Sequence, residues 1–175
     1  MDCAFPLSGP VAALASSGTY GVDAIELAIV SLLDGEMGDP VTWLDQPCTS
    51  GADRRRRPHR LREFDSVAED IRAHLPDGTV VVHGADPTLK LIYRILPSWR
   101  PMMVIDTLSL AREAGLPTSC DLSFPHLSNA DGTDTSARLA SASGRALATA
   151  RMLQRVADAL PGGFGNTAGG IALTT

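Results

Sequence analysis

The sequence predicts an α/β domain, because its apolar segments fall in an order typical of a mixed sheet flanked by helices. A first strand is predicted at residues 11–16. The apolar segments 22–33 and 41–44 follow it, separated by the turn 34–38, and are predicted to be antiparallel neighbours. Residues 79–83 form a nearly continuous apolar run, which is typical of a parallel strand covered on both faces.

The helices are predicted from apolar stripes and from residues that favour helix ends. A first helix is predicted over about residues 66–75, and Asp86-Pro87 opens the next one with a capping side chain and a proline in the first turn. Residues 102–105 predict a second parallel strand. Asp106 after it can cap a further helix. A last helix, predicted over residues 136–160, completes the domain.

Length and composition predict one soluble domain over residues 1–160 of the 175-residue chain, which is 44% hydrophobic. No apolar run reaches the roughly 18 residues that a membrane helix requires. Met1–Pro10 lacks the basic start and apolar core of a signal peptide. These features predict a cytoplasmic protein with no membrane partner. Residues 161–175 carry no charge and are rich in Gly, Ala and Thr, which predicts a flexible C-terminal tail.

The strongest charge feature is residues 54–62, which we name the arginine-rich segment. It holds six arginines, in a chain whose formal net charge is -5. Pro58 disfavours a continuous helix, so the segment is predicted to lie on an exposed basic loop over residues 51–63. Such a run suits a phosphate backbone or another anionic partner, and the competing interpretation is a solvated insertion without a ligand. The predicted nucleic-acid contacts are Arg54, Arg55, Arg56, Arg57, Arg60 and Arg62.

Several stretches occur in the order of the motifs of a known family. They are Ala-Leu-Ala-Ser-Ser-Gly at 13–18, Ile-Glu-Leu-Ala-Ile-Val at 25–30, Val-Val-His-Gly-Ala-Asp-Pro-Thr at 81–88, Val-Ile-Asp-Thr-Leu at 104–108 and Ala-Thr-Ala-Arg-Met-Leu at 148–153. Over residues 9–158 the chain resembles the DnaQ-like (DEDDh) 3′–5′ exonucleases, which have an RNase H-like fold. The resemblance implies a mixed five-stranded sheet flanked by helices.

The positions that bind metal in this family carry residues that cannot do so here. The resemblance places the four metal-binding carboxylates at Ala13, Ala15, Thr88 and Arg145, and the general-base histidine at Ala140. Two-metal hydrolysis requires acidic oxygens around both cations, and Arg145 would add a permanent positive charge beside them. The resemblance therefore implies a catalytically degenerate member that holds no metal and no other cofactor.

Polar residues near these positions could instead bind a ligand. The altered cleft would be bordered by Ser16, Ser17, His83, Asp86, Thr88, Asp106 and Arg145. A guanidinium group binds carboxylate or phosphate in a bidentate manner, and His83 is the candidate acid–base residue because imidazole titrates near neutrality. The competing interpretation is structural: His83 ends a strand with its ring hydrogen-bonded, and Arg145 lies on a helix surface.

Three classes of function follow from these observations. The favoured class is a catalytically degenerate exonuclease-like protein that binds nucleic acid or a protein partner. The alternative is an RNase H-like fold repurposed as an enzyme or binding protein for a small anionic metabolite through the altered cleft. The third class is an active metal-dependent 3′–5′ exonuclease whose acids are misaligned. It is disfavoured because Asp86, the nearest acid to Thr88, lies two residues away.

Overall fold

The computed structural model describes residues 9–18, 24–33, 35–45, 62–84, 86–116 and 140–159. Within these ranges the elements are, in chain order, β1 (Val11–Ser17), β2 (Ile25–Leu33), β3 (Glu36–Met37), β4 (Val41–Asp45), α1 (Arg62–Ser66), α2 (Ala68–His74), β5 (Thr79–Val82), α3 (Asp86–Ile95), β6 (Met103–Asp106), α4 (Thr107–Glu113) and α5 (Ala142–Ala159). No helix in the described part of the chain is long and apolar enough to cross a membrane.

The strands form one mixed sheet in the order β3-β2-β1-β5-β6, and β4 also pairs with β2. β2 is antiparallel to β1, β3 and β4, whereas β1, β5 and β6 are mutually parallel. The predicted mixed α/β architecture is confirmed. The described sheet has six strands instead of the predicted five, because the chain that pairs with β2 is divided into β3 and β4 by Gly38, Asp39 and Pro40. Proline has no N–H with which to continue a ladder.

Helices cover both faces of the sheet and form two apolar layers. α4 and α5 pack on one face, against side chains that include Val11, Ala13, Ala15, Ala28 and Val30. α1, α2 and α3 pack on the other face, against side chains that include Ala12, Leu14, Leu27 and Ile29. Successive strand residues point to opposite faces, so a strand buried on both faces needs apolar residues throughout. This requirement explains the continuous apolar runs of β1 and β5.

Two predicted boundaries differ from the structure. The predicted helix over 66–75 is two helices, because α1 begins at Arg62 and only Val67 separates it from α2. Phe64 is fully buried in the layer beneath α1, and this burial holds the added turn on the sheet. Residues 62 and 63, which the predicted basic loop 51–63 included, are therefore helical. The predicted final helix is observed as α5, from Ala142.

Some of the predicted features lie outside the described residues. Residues 46–61 contain most of the arginine-rich segment, and residues 160–175 contain the predicted tail; residues 1–8, 19–23, 34, 85 and 117–139 also lie outside the described ranges.

Candidate functional site

Most of the predicted cleft residues lie at one edge of the sheet, which we name the carboxyl edge. There β1, β5 and β6 end, while β2 begins, as the pairs Ser17 with Glu26 and Val82 with Asp106 show. In open α/β sheets, ligands bind outside the carboxyl ends of the parallel strands. The carboxyl edge is therefore the place to test the predicted cleft.

Ala13 and Ala15 lie beneath α5 in the apolar layer. Their side chains are 0% and 6% exposed, and the same layer contains Ala146 and Ala150 of α5. Small side chains on both elements allow the helix to approach the strand closely. A carboxylate at either strand position would therefore enter an apolar, close-packed layer, where an unpaired charge is strongly unfavourable.

Thr88 contacts a different side of β1. Its hydroxyl lies 3.0 Å from the Ser16 hydroxyl, and its side chain is only 8% exposed. Ser16 follows Ala15 in the strand, so its side chain points to the opposite face. The structure thus brings Thr88 and Ser16 together and separates both from the layer that contains Ala13 and Ala15.

Glu26, which the sequence analysis did not select as a site residue, joins β2 to the start of α5. Its Oε2 accepts hydrogen bonds from the Ser17 hydroxyl at 3.2 Å and from the Ala142 backbone N–H at 2.7 Å. The Ser141 hydroxyl accepts from the Gly144 N–H at 3.1 Å and caps the same helix. A carboxylate at a helix N-terminus is stabilised by the unpaired N–H groups and the helix dipole. The feature of the sequence that could have identified Glu26 is that it is the one charged residue in β2.

His83 takes part in a hydrogen-bonded chain with Thr107, the residue that follows β6. Its Nδ1 lies 2.9 Å from the Thr107 hydroxyl, which donates to the Val82 carbonyl at 3.2 Å. A hydroxyl has one proton to donate, so when Thr107 donates to Val82 it accepts from His83, and Nδ1 then carries the hydrogen. This geometry agrees with the structural interpretation of His83 and also fixes the orientation of its ring at the carboxyl edge.

Asp106 caps α4, as predicted. Its Oδ1 accepts from the Leu108 N–H at 3.0 Å and from the Gly84 N–H at 2.9 Å, and its Oδ2 accepts from the Ser109 hydroxyl at 3.1 Å. These three bonds join the turn after β5 to the start of α4. Asp106 therefore has a structural role at this edge.

The remaining predicted residues are placed as follows. Ala140 is exposed two residues before α5, and Arg145 lies in the first turn of α5, where its backbone N–H donates to the Ser141 carbonyl at 3.2 Å. Asp86 begins α3 and Arg62 begins α1. Arg54, Arg55, Arg56, Arg57 and Arg60 lie outside the described residues. Among the described residues, no group of three or more His, Cys, Asp or Glu side chains is placed to hold a metal ion.

Comparison with known proteins gives no match to any protein-family model and none to any curated protein. The resemblance to DnaQ-like exonucleases stays a prediction that rests on the quoted motifs.

Proposed function

We propose that the chain is a catalytically degenerate exonuclease-like protein of RNase H-like fold, which binds nucleic acid and does not hydrolyse it by the two-metal mechanism. The mixed sheet, with β2 antiparallel to its neighbours and helices on both faces, is compatible with that fold. The observation that carries the proposal is the burial of Ala13 and Ala15 beneath α5.

The burial of these alanines matters because two-metal chemistry needs an open, acidic site. The two cations stand roughly 3.5–4 Å apart and clamp both the attacking and the leaving oxygen of the substrate. At the positions implied by the resemblance, Ala13 and Ala15 lie in the apolar layer beneath α5. Glu26 is the one acid of β2, and its carboxylate accepts hydrogen bonds from Ser17 and from the N-terminus of α5. The carboxyl edge is thus organised to hold the final helix.

Nucleic-acid binding is supported by the uneven distribution of charge. Six of the 15 basic residues lie in the arginine-rich segment, so nine remain elsewhere against 20 acidic residues. A phosphate backbone would be repelled by most of this chain and attracted by that segment. Asp45, the last described residue before the segment, pairs with Ile25 beside the carboxyl edge.

The test compares two sets of four charge-neutralising substitutions. The first set is R54Q, R55Q, R56Q and R57Q, and the control set is K90Q, R94Q, R112Q and R155Q, whose side chains are exposed. Binding of a fluorescein-labelled 30-nucleotide single strand is followed by anisotropy between 50 and 300 mM NaCl. Each phosphate contact contributes about 0.7 to the slope of log Kd against log salt, so the first set should flatten the slope by up to about 3. The control set should change it by less than about 1. Equal slopes for both sets, or no binding at 50 mM NaCl, would refute the proposal.

A second assay tests the absence of two-metal hydrolysis. The purified protein is titrated calorimetrically with Mn²⁺ and incubated with a 5′-labelled single strand in the presence of the same ion. We expect neither tight binding nor shortening from the 3′ end. Tight binding with turnover would favour the third class, an active exonuclease with misaligned acids.

A second candidate, binding of a small anionic metabolite, is favoured by the geometry of His83. Thr107 fixes the imidazole orientation at the carboxyl edge, where ligands of α/β proteins bind. Calorimetric titration with inorganic phosphate and with adenosine monophosphate tests this candidate. H83A and R145Q should each abolish such binding while the unfolding midpoint stays close to that of the parent. Unchanged affinity in both variants would reject it.

A further inference from the structure

The methionines in the described part of the chain differ widely in their exposure to solvent. Met102 is 89% exposed, whereas Met37 and Met103 are each 36% exposed. Met152 is fully buried in the apolar layer between α5 and the sheet. Met102 is also the most exposed of the large apolar side chains in the described ranges. Packing therefore does not account for this methionine, and its sulfur is open to reagents in the solvent.

A methionine thioether is apolar but chemically reactive. With hydrogen peroxide, a sulfur lone pair attacks one peroxide oxygen and the O–O bond breaks, so that sulfur is oxidised to the sulfoxide and the peroxide is reduced to water. The sulfoxide is polar, and reductases can return it to the thioether. Both reactions need direct access to the side chain, so an exposed methionine is the one that undergoes them in a folded protein.

The backbone at Met102 is held independently of its side chain. Its N–H lies 2.9 Å from the Gly78 carbonyl oxygen and 3.1 Å from the Asp77 carbonyl oxygen. The Met103 N–H donates to the same Gly78 carbonyl at 3.3 Å. These bonds join the entry to β6 to the turn before β5. Because they involve only main-chain atoms, a chemical change in the Met102 side chain leaves them in place.

The effect of a sulfoxide on stability depends on the burial of the side chain that carries it. At 89% exposure, the Met102 side chain has nearly the same aqueous surroundings in the folded and the unfolded chain. A polar oxygen on its sulfur therefore changes the free energies of the two states by similar amounts. Met152 is the opposite case, because a sulfoxide there would enter the apolar layer, where an unpaired polar group is unfavourable.

We propose that Met102 is a site of reversible oxidation by peroxides, which the folded protein undergoes without loss of stability. Peptide mapping by mass spectrometry measures the oxidation of each methionine in the folded protein during incubation with hydrogen peroxide. The exposures of 89% and 36% imply that Met102 forms sulfoxide at least about twofold faster than Met37 or Met103. Met152 should react at least about tenfold more slowly than Met102 until urea unfolds the chain.

Urea unfolding measures the effect of the sulfoxide on the folded state. The variant M37L/M103L leaves Met102 as the exposed methionine of the described residues, and leucine conserves the volume of the replaced side chains. The oxidised and reduced forms of this variant should unfold at the same urea concentration. M152Q, the control for a buried polar group, should lower the midpoint by roughly 1 M. Methionine sulfoxide reductases for both sulfoxide epimers, with dithiothreitol as reductant, should restore the Met102 thioether in the folded protein.

Three results would overturn this proposal. Oxidation of Met102 no faster than that of Met103 would mean that its sulfur is shielded in the folded protein. A lower urea midpoint for oxidised M37L/M103L would mean that the sulfoxide disturbs the fold. Failure of the reductases to act before unfolding would mean that the modification is not reversible in the folded state. None of these measurements involves nucleic acid, so their outcome leaves the nucleic-acid proposal untouched.

Discussion

The burial of Ala13 predicts the outcome of introducing a carboxylate into the central strand, β1. Ala13 is 0% exposed, and it lies in the apolar layer with Ala146 and Ala150 of α5. A13D would place a charge among the apolar side chains of that layer. An uncompensated buried charge destabilises a protein by about 3–5 kcal/mol. With a urea slope near 2 kcal/mol/M, the midpoint should fall by roughly 2 M.

The isosteric variant A13N separates charge from volume. Both substitutions add the same bulk beneath α5, so the difference between their free energies of unfolding reports the charge. Burial makes the pKa of the introduced carboxyl higher in the folded state than in the unfolded state. Between the two pKa values the folded state binds more protons, and its stability falls as pH rises. The difference between A13D and A13N should therefore be large at pH 8 and smaller at pH 5.

Manganese provides the measurement that would refute this reasoning. A manganese site with a Kd near 10 μM would stabilise A13D by about 2.7 kcal/mol in 1 mM Mn²⁺. We expect no gain, because Ala13 is buried in the apolar layer beneath α5. A gain of that size, or an A13D variant within about 1 kcal/mol of the parent, would mean that the layer opens enough to admit a metal ion.

Two further substitutions test the contacts at the carboxyl edge. E26A should lower the free energy of unfolding by about 1–2 kcal/mol and accelerate amide exchange at Ala142, because it removes the acceptor at the start of α5. E26Q should cause a smaller loss of stability and a smaller acceleration of exchange. E113A, which changes an exposed side chain, should cause neither. G18A should lower the free energy of unfolding in urea by at least about 2 kcal/mol, because its Cβ would lie 2.0 Å from the Ala24 carbonyl oxygen at a φ of +91°. G9A has a φ of +96° but open space around its Cβ, so it should lose only the backbone strain of about 1 kcal/mol. Equal losses in the two variants would contradict the steric explanation.

Much of the fold could be predicted from the sequence because local patterns determine it. The apolar run at β5 and the Asp106 cap before α4 require only neighbouring residues, and the structure confirms both. The division of the strand beside β2 into β3 and β4 was missed because a two-residue strand is too short to show periodicity. The role of Glu26 was missed for another reason. Its partner Ala142 lies 116 residues away, and no local pattern encodes that contact.

The packing around Ala13 and Ala15 agrees with the rest of the fold, and this agreement indicates where function should be sought. Functional sites usually break local rules, with buried charges, strained backbone or exposed apolar groups. At Ala13 and Ala15 no such rule is broken, since small apolar residues pack beneath a capped helix. The rules are broken elsewhere, by the arginine-rich segment in an acidic chain and by exposed apolar side chains such as Leu33 and Met102. This distribution fits the proposal that the chain binds nucleic acid and does not hydrolyse it by the two-metal mechanism.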